Sequence, residues 1–480
     1  MDKQYDVLVI GGGPGGTPAA MALAQAGKKV LLVEAGAGLG GTCLFEGCIP
    51  SKIFRESARR LRELREASDF GLCLPTRDVT VNWSAVLERK RAILKRRSEA
   101  ALQNTGRLPT LKTEFGQCRL LSSRSAVIEK ENGTTQQIHF EKAILATGSV
   151  PFMPPIRGIE HPRVHDSESI LNIDHIPDKL VIVGGGPIGV ELGQVFNTFG
   201  SQVTILETAP RILGQVDEEL AMLLQQTMQQ AMQQTRQQQA IHIHTSCQVQ
   251  AIFHSGQDVF VEYTDQAGEK QHSIAAAVLM VTGRRPNVEG LGLENTAVKH
   301  GIHGVEVDAT LQTTEAGIYA VGDVTGQPMF AHWATAQGLA LARHLMGQPV
   351  PFPTAATNSA VIFSEPEIGI AGLTEQQAQE AGLDITVARY DFHIDARAQI
   401  DGSDHGLLKI IYETSNHKVV GVHALVEGAG EIMGEAALLV KAGLPIEAIA
   451  GAIHPHPTLT ESFVMAVRAA LAAEEMKRHE

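Results

Sequence analysis

One pattern occurs twice in this 480-residue chain, and it sets the architecture. The first copy, DVLVIGGGPGGTPAAMALAQAGKKVLLVE, runs from Asp6 to Glu34. The second, LVIVGGGPIGVELGQVFNTFGSQVTILE, runs from Leu180 to Glu207. Gly11, Gly13, Gly16 and Glu34 fall on Gly184, Gly186, Gly189 and Glu207 at one constant offset. Each copy reads as a buried strand, a glycine turn, a helix rich in small residues and a second strand ending in an acid. The first glycine allows the tight turn, the second lets the backbone approach a pyrophosphate, and the third packs the helix closely on the strand. The helix N-terminus then offers unpaired N–H groups to the phosphates, and the terminal Glu accepts from a ribose diol. Two copies in the same context predict an α/β chain with two Rossmann-like dinucleotide sites.

Two such sites in one chain point to electron transfer between two dinucleotides, most simply FAD and a nicotinamide. Glu207 favours NAD, because a carboxylate there repels the 2′-phosphate of NADP. Arg211 lies nearby and pulls the other way, but the acid is expected to dominate. Ala143–Gly148 and Val278–Gly283 read as strands ending in glycine, where the chain leaves and re-enters the first domain. Gly317–Asp323 is a strand delivering an acid. Pro349, Pro351 and Pro353 mark a joint before a C-terminal α+β domain. The expected layout is 1–150 for the first domain, 151–277 for the second, 278–350 returning to the first, and 351–480 for the last. The stretch Gln225–Gln239 keeps Met and Leu at helical spacing and reads as a solvated helix.

Composition narrows the setting. The formal net charge of −13 argues against nucleic acid or anionic membrane as the main partner. Five cysteines are too few for a disulfide-stapled secreted scaffold. No apolar run approaches the roughly 20 residues of a membrane span. The first strand begins close to Met1, which leaves no room for a signal or transit peptide. A soluble cytoplasmic protein is expected, where a close cysteine pair is more often catalytic or metal-binding than structural.

That pair lies in Gly40-Gly41-Thr42-Cys43-Leu44-Phe45-Glu46-Gly47-Cys48-Ile49-Pro50-Ser51-Lys52. Cys43 and Cys48 can close a disulfide if the chain folds back, which Gly47 helps. Lys52 is a candidate cation to favour a thiolate. Cys73, Cys118 and Cys247 are scattered, so no metal site is expected; an inert pair of buried cysteines is the bland alternative. Near the other end stands His454-Pro455-His456-Pro457-Thr458-Leu459-Thr460-Glu461. Disulfide exchange needs a proton acceptor, and a histidine held by a carboxylate supplies one. Thr458 with Glu461 is also a capping box, and on the residues alone the cap is the stronger reading. The two roles compete for the Glu461 side chain, and His454 reads as a spectator.

At these residues the chain resembles the dihydrolipoamide dehydrogenases of the glutathione-reductase-like flavoprotein family (class I pyridine nucleotide-disulfide oxidoreductases). The likeness is carried by GGTCLFEGCIPSK, GGGPIGVELG, TGRRPN, GIYAVGDVT, FAH and HPHPTLTE and spans nearly the whole length. It implies FAD in the first domain, at Gly11, Gly13, Gly16, Glu34, Gly41, Thr42, Lys52, Thr147 and Gly148. Asp323 would contact the ribitol or phosphate region, and Ala331 and His332 would lie along the flavin. It implies NAD at Gly184, Gly186, Gly189, Glu207 and Gly283, with Glu191 beside the nicotinamide and paired with Lys52. Cys48 would be the thiolate against the flavin and Cys43 the thiol that exchanges with substrate. His456, supported by Glu461, would be the acid/base across a homodimer interface formed by the C-terminal domain, and this implied role displaces the cap. The implied reaction is oxidation of a dihydrolipoyl group on a carrier protein or domain, with reduction of NAD.

The alternatives are an NADH-dependent reductase of another disulfide and a flavin-binding redox sensor. Mercuric reductases carry a C-terminal cysteine pair, and this chain has no cysteine after Cys247. It also departs from its relatives' pattern. Phe45-Glu46 stands where Asn-Val is common, Ile53-Phe54-Arg55 replaces a plainer apolar run, and Gln337 stands where Glu is usual. Glu46 is expected to put negative charge between the thiols and oppose thiolate formation. Arg55, Arg59 and Arg60 would offset it, attract an acidic carrier, or form a solvated helix face, the last being favoured.

Overall fold

The structure is a computed structural model that describes residues 3–74, 79–230, 240–255 and 258–479. It divides into two compact units, one of residues 1–154, 166–175 and 283–353, the other of 155–165, 176–282 and 354–480.

The first unit is built on a seven-stranded sheet. Strand β1 (Lys3–Ile10) leads through the glycine turn into helix α1 (Gly16–Gln25) and strand β2 (Val30–Glu34). Next come α2 (Gly41–Phe45), α3 (Cys48–Glu66) and α4 (Trp83–Gly106), then strands β3 (Leu111–Phe115), β4 (Gln117–Ser122), β5 (Ser125–Glu129) and β6 (Thr135–Leu145). The order is β3-β2-β1-β6-β5-β4, with Ile318–Ala320 also pairing β6. β3, β2, β1, β6 and Ile318–Ala320 pair in parallel, whereas β4 and β5 add antiparallel strands. The end of β1, Val7–Ile10, and the start of β2, Val30–Val33, read as unbroken apolar runs because both sheet faces are covered. Leu8, Leu31 and Leu145 face one buried cluster, and Val9, Leu32 and Ile144 face the other.

The second unit repeats the parallel core. Lys179–Val183, helix α5 (Pro187–Thr198) and Gln202–Leu206 belong to a parallel sheet of five strands, 242–244, 202–206, 179–183, 277–280 and 164–165 in spatial order. A three-stranded antiparallel sheet occupies 248–275. Helix α6 (Glu218–Gln230) covers the start of the Gln-rich stretch; residues 231–239 lie outside the described residues. The C-terminal part is a five-stranded antiparallel sheet packed by helices Ala429–Ala442 and Glu461–His479 around Phe392, Tyr412 and Phe463. Asp217 and Lys409, both about 3% exposed, tie the start of α6 to this sheet at 2.8 Å. Lys409 also meets Glu219 at 3.1 Å and Glu375 at 2.9 Å.

Candidate active site

The first glycine turn is sterically obligatory. Gly11 has φ +107°, and a Cβ there would sit 2.2 Å from the Ala146 carbonyl oxygen. A Cβ on Gly16 would sit 1.9 Å from the Gly11 carbonyl oxygen. The second turn repeats both contacts, with Gly184 at φ +116° and 2.4 Å from the Val281 oxygen, and Gly189 at 2.0 Å from the Gly184 oxygen. Gly186 faces open space, the cradle that a pyrophosphate requires. Glu34 accepts from the N–H groups of Gly12 and Gly36, each at 2.6 Å. Glu207 accepts from Gly185 at 2.5 Å and Ala209 at 2.7 Å. Each carboxylate thus braces its own turn; Glu207 Oε1 also accepts from the Thr208 hydroxyl at 3.1 Å, and Glu207 Oε2 and both Glu34 oxygens keep a further lone pair for a ribose hydroxyl.

Arg211 does not compete with Glu207. Its guanidinium donates to the carbonyls of Leu213 at 2.7 Å, Gly214 at 3.0 Å and Val216 at 3.1 Å. Leu213, at φ +53°, returns its N–H to the Gly185 carbonyl at 2.9 Å. Arg211 therefore staples the turn beside the second glycine loop, and both its terminal nitrogens are already engaged. Glu191, on α5, accepts from the Phe363 N–H at 2.9 Å.

In the first unit, Gly41 (φ +56°) seats the redox segment on the first dinucleotide turn. A Cβ there would lie 2.8 Å from Gly13 Cα, and the Gly40 N–H donates to the Gly12 carbonyl at 2.9 Å. Gly41 and Thr42 open α2, which carries Cys43, and Cys48 is the first residue of the 19-residue α3. A helix N-terminus favours a thiolate at Cys48, and Lys52 lies one turn further along. Both cysteines are thiols and hydrogen-bonded to each other. That bond, then burial and the neighbouring sulfur, push the Cys43 thiol well above its ordinary range, while Lys52 and Arg97 pull it down.

Burial, then the nearby Glu168, push the Glu46 carboxyl up, opposed by Arg284, and the cations acting on Cys43 are Lys52 and Arg97. Arg59 and Arg60 pair with Glu56 and Glu63 of their own helix, as a solvated face does.

Asp323, expected beside the first dinucleotide, is held by a short polar chain. The Ser149 hydroxyl donates to it at 2.7 Å, and Arg284 donates to the same hydroxyl at 2.8 Å. Burial pushes the Asp323 carboxyl up, opposed by Ser149 and Arg284. Thr147 donates to the Asn287 carbonyl at 2.7 Å, and Asn287 N–H reaches the Gly148 carbonyl at 2.9 Å. Ala331 and His332 begin the helix Ala331–Leu345, with His332 stacked on Phe330 at 5.3 Å. The buried Gln337 accepts from the Gly322 N–H at 2.8 Å, a task for one oxygen, which an amide performs as a carboxylate would. Sequence alone does not single out Ser149, Glu168, Arg284 or Asn287. For Arg284 and Asn287 the TGRRPN motif is the available signal.

At the far end Glu461 performs both roles that look exclusive in the sequence. Its Oε1 lies 3.0 Å from His456 Nδ1, while its Oε2 accepts from the Thr458 N–H at 2.9 Å. The cap is half a box, because Thr458 Oγ1 donates to the Pro455 carbonyl instead of capping the helix. Thr458, then His456, hold the Glu461 carboxyl below its usual range. His454 is not idle either, since its Nε2 meets Glu435 at 2.9 Å.

Comparison with known proteins agrees with this arrangement. Residues 5–338 match the family described as pyridine nucleotide-disulphide oxidoreductase, and 358–467 match its dimerisation domain. The chain belongs to the pyridine nucleotide-disulphide oxidoreductases. Its α/β fold is that of the glutathione-reductase-like flavoproteins, and FAD and NAD(H) are the cofactors of the family. Among similar oxidoreductases is a dihydrolipoyl dehydrogenase of Bacillus subtilis, 34% identical over 95% of this chain and 96% of that protein. Another, from Pseudomonas aeruginosa, is 35% identical over 97% of each. A solved structure, the Cu(II) complex of the HOCl-induced flavoprotein disulfide reductase RclA from Escherichia coli, superposes with a TM-score of 0.85 at 28% identity, covering 98% of this chain and 100% of that one. The dimerisation domain of this oxidoreductase supports a homodimer, and Leu438 and Ile453 leave apolar surface exposed there. Among the described residues no helix is long and apolar enough to cross a membrane, and no group of three or more ligating side chains is placed to hold a metal ion.

Proposed function

We propose that this chain oxidises dihydrolipoyl groups carried on a protein or domain and reduces NAD, as a cytoplasmic dihydrolipoyl dehydrogenase. The observation that carries this reading is the seat of Gly41 on Gly13, which builds the Cys43–Cys48 pair onto a dinucleotide turn. The likeness to curated dihydrolipoyl dehydrogenases over nearly the full length supports it. Residues 1–150 with 278–350 then form the FAD domain, 151–277 the NAD domain and 351–480 the interface domain. FAD, when bound, supplies the acceptor through which the dithiol's electron pair reaches NAD. Gly11, Gly13, Gly16, Glu34, Gly41, Thr42, Lys52, Thr147, Gly148, Asp323, Ala331 and His332 hold it. Gly184, Gly186, Gly189, Glu191, Glu207 and Gly283 hold NAD.

In this mechanism a substrate thiol attacks Cys43 of the Cys43–Cys48 disulfide and releases Cys48 as thiolate. The second substrate thiol then displaces Cys43, so the substrate leaves as a disulfide and both cysteines are reduced. His456 of a second copy accepts the substrate proton, and Glu461 fixes its tautomer by holding Nδ1, which leaves Nε2 for the thiol. A second reading, reduction of another disulfide by NADH, is favoured by the likeness to an E. coli disulfide reductase. Mixing the purified yellow protein with NADH and free lipoamide separates the two. Rapid turnover is expected, whereas flavin reduction without lipoamide turnover would discard the first reading.

A further inference from the structure

Two neighbouring helices of the first unit are both rich in arginine, and they handle that charge differently. On α3 the acids stand one turn away: Arg59 and Arg60 each reach Glu56 at 2.9 Å, and Glu63 meets both from the other side. Helix α4 carries six cationic residues against two acids, in a chain whose formal net charge is −13. Three and four positions either side of Arg89 and Arg97 stand only Ala, Val, Ile and Leu, so neither has a helical partner. Arg96 has Glu99 within reach, but Lys95 meets that acid, at 3.9 Å. Arg89, Arg96 and Arg97 are exposed, and among the described residues none of them pairs with a carboxylate. Buried Trp83, Leu87, Lys90, Leu94 and Ser98 mark the inner face of α4. The helical repeat places the three arginines within about 100° on one side of it, along about 12 Å of axis, and leaves Glu88 and Glu99 outside that sector. The stripe ends beside the redox segment. Leu94 is buried with Leu44 and Ile53, Ile93 and Phe45 pack against them, and a Cβ on Gly38 would meet both Ser98 Oγ and Phe45 Cζ. Leu44 follows Cys43 in α2, so Arg97, one turn past Ile93, stands at the Cys43 end, and its charge reaches that thiol.

We propose that Arg89, Arg96 and Arg97 form a docking stripe that draws an acidic face of the dithiol-bearing carrier domain to α4 and brings its thiols to Cys43. The inference rests on the reading that the substrate dithiol is borne by a protein. An unpaired guanidinium gains nothing from its own helix, and three together set up a local positive potential on an acidic chain, with like-charge repulsion that an acidic partner would offset. Charges placed this way act on the association rate and its salt dependence. A stripe of about 12 Å outspans a small anion, and the chain's overall negative charge repels nucleic acid. An acidic protein surface fits both conditions. Cys48 is exposed and Cys43 partly so, which leaves the pair accessible to a docked thiol.

The test compares kcat/KM of the holoenzyme for three reduced dithiols: a dihydrolipoyl domain of acidic sequence, free dihydrolipoate (a small anion) and free dihydrolipoamide (neutral). The variant is Arg89→Glu/Arg96→Glu, which leaves Arg97 beside Cys43 untouched, with flavin content as the check on folding. It should lose roughly tenfold to a hundredfold with the domain at low ionic strength. The loss should vanish at about 1 M salt, where the Debye length is about 3 Å. Both free dithiols should react as they do with the unsubstituted protein. A loss shared by dihydrolipoate would make the stripe a small-anion site, and a loss shared by all three would place it in the thiol chemistry. Either overturns the docking stripe, as does a domain rate that the variant leaves unchanged. If the unsubstituted protein turns over none of the three, the lipoyl reading fails, and calorimetry with the unlipoylated acidic domain still decides the stripe. Binding at low salt that the variant abolishes supports it; equal binding, or none to the unsubstituted protein, overturns it.

Discussion

The two glycine turns share their steric logic but differ in the chain inserted beyond the acid. Among the described residues, the chain after Glu34 forms α2, α3 and α4 before the third parallel strand, and after Glu207 a stapled turn and α6. The first crossover thus holds the thiols, seated by Gly41 on Gly13, while the second holds Arg211, closed on its own backbone. One supersecondary unit serves two purposes through its inserted segment, and the turn itself is the invariant part. Function here lies in what is added to the fold.

The strongest test of that equivalence is to overfill each turn. Gly16→Val and Gly189→Val should each cost about 3 kcal/mol locally. The first is expected to yield colourless protein, and the second to stay yellow yet fail to be reduced by NADH. Loss of flavin from both, read by absorbance after gel filtration, would show that the turns are not separable. A smaller effect is expected from Gly41→Ala, which adds positive-φ strain of about 2 kcal/mol and pushes on Gly13. It should slow dithiol exchange more than reduction of the flavin by NADH, and equal slowing would deny the seat its special role. Smallest is Arg211→Met, expected to raise the NADH KM roughly threefold, the effect of a hydrogen bond or so, without gain of NADPH use. A marked rise in NADPH turnover would mean that Arg211 shapes selectivity after all.

The repeat is legible in the sequence because part of its glycine pattern is demanded by contacts within a few residues, Gly16 against Gly11 and Gly189 against Gly184. The cysteine pair is legible for the same reason. Assignments that depend on counting oxygens or on distant partners escape it. Glu461 reads as one acceptor, whereas both its oxygens meet His456 Nδ1, at 3.0 and 3.2 Å, and Oε2 also accepts from the Thr458 N–H. Arg211 looks available because sequence does not show that Leu213 adopts a left-handed conformation and turns three carbonyls toward it. Glu46 reads against the thiols beside it in sequence, whereas Glu168, which helps push its carboxyl up, lies over a hundred positions away.

Lys409 bears on how such chains diversify. The family's sequence modules end at residue 338 and begin again at 358, which invites the view of interchangeable cassettes. Yet this buried cation belongs to the later module, and Asp217 and Glu219 belong to the earlier one. A donor cassette lacking the lysine would strand Asp217 as an uncompensated charge, at a cost of about 3–5 kcal/mol. The seam along which recombination could graft a new interface onto this chain is therefore not where the sequence modules part. It runs through an ion pair, and both halves would have to be inherited together.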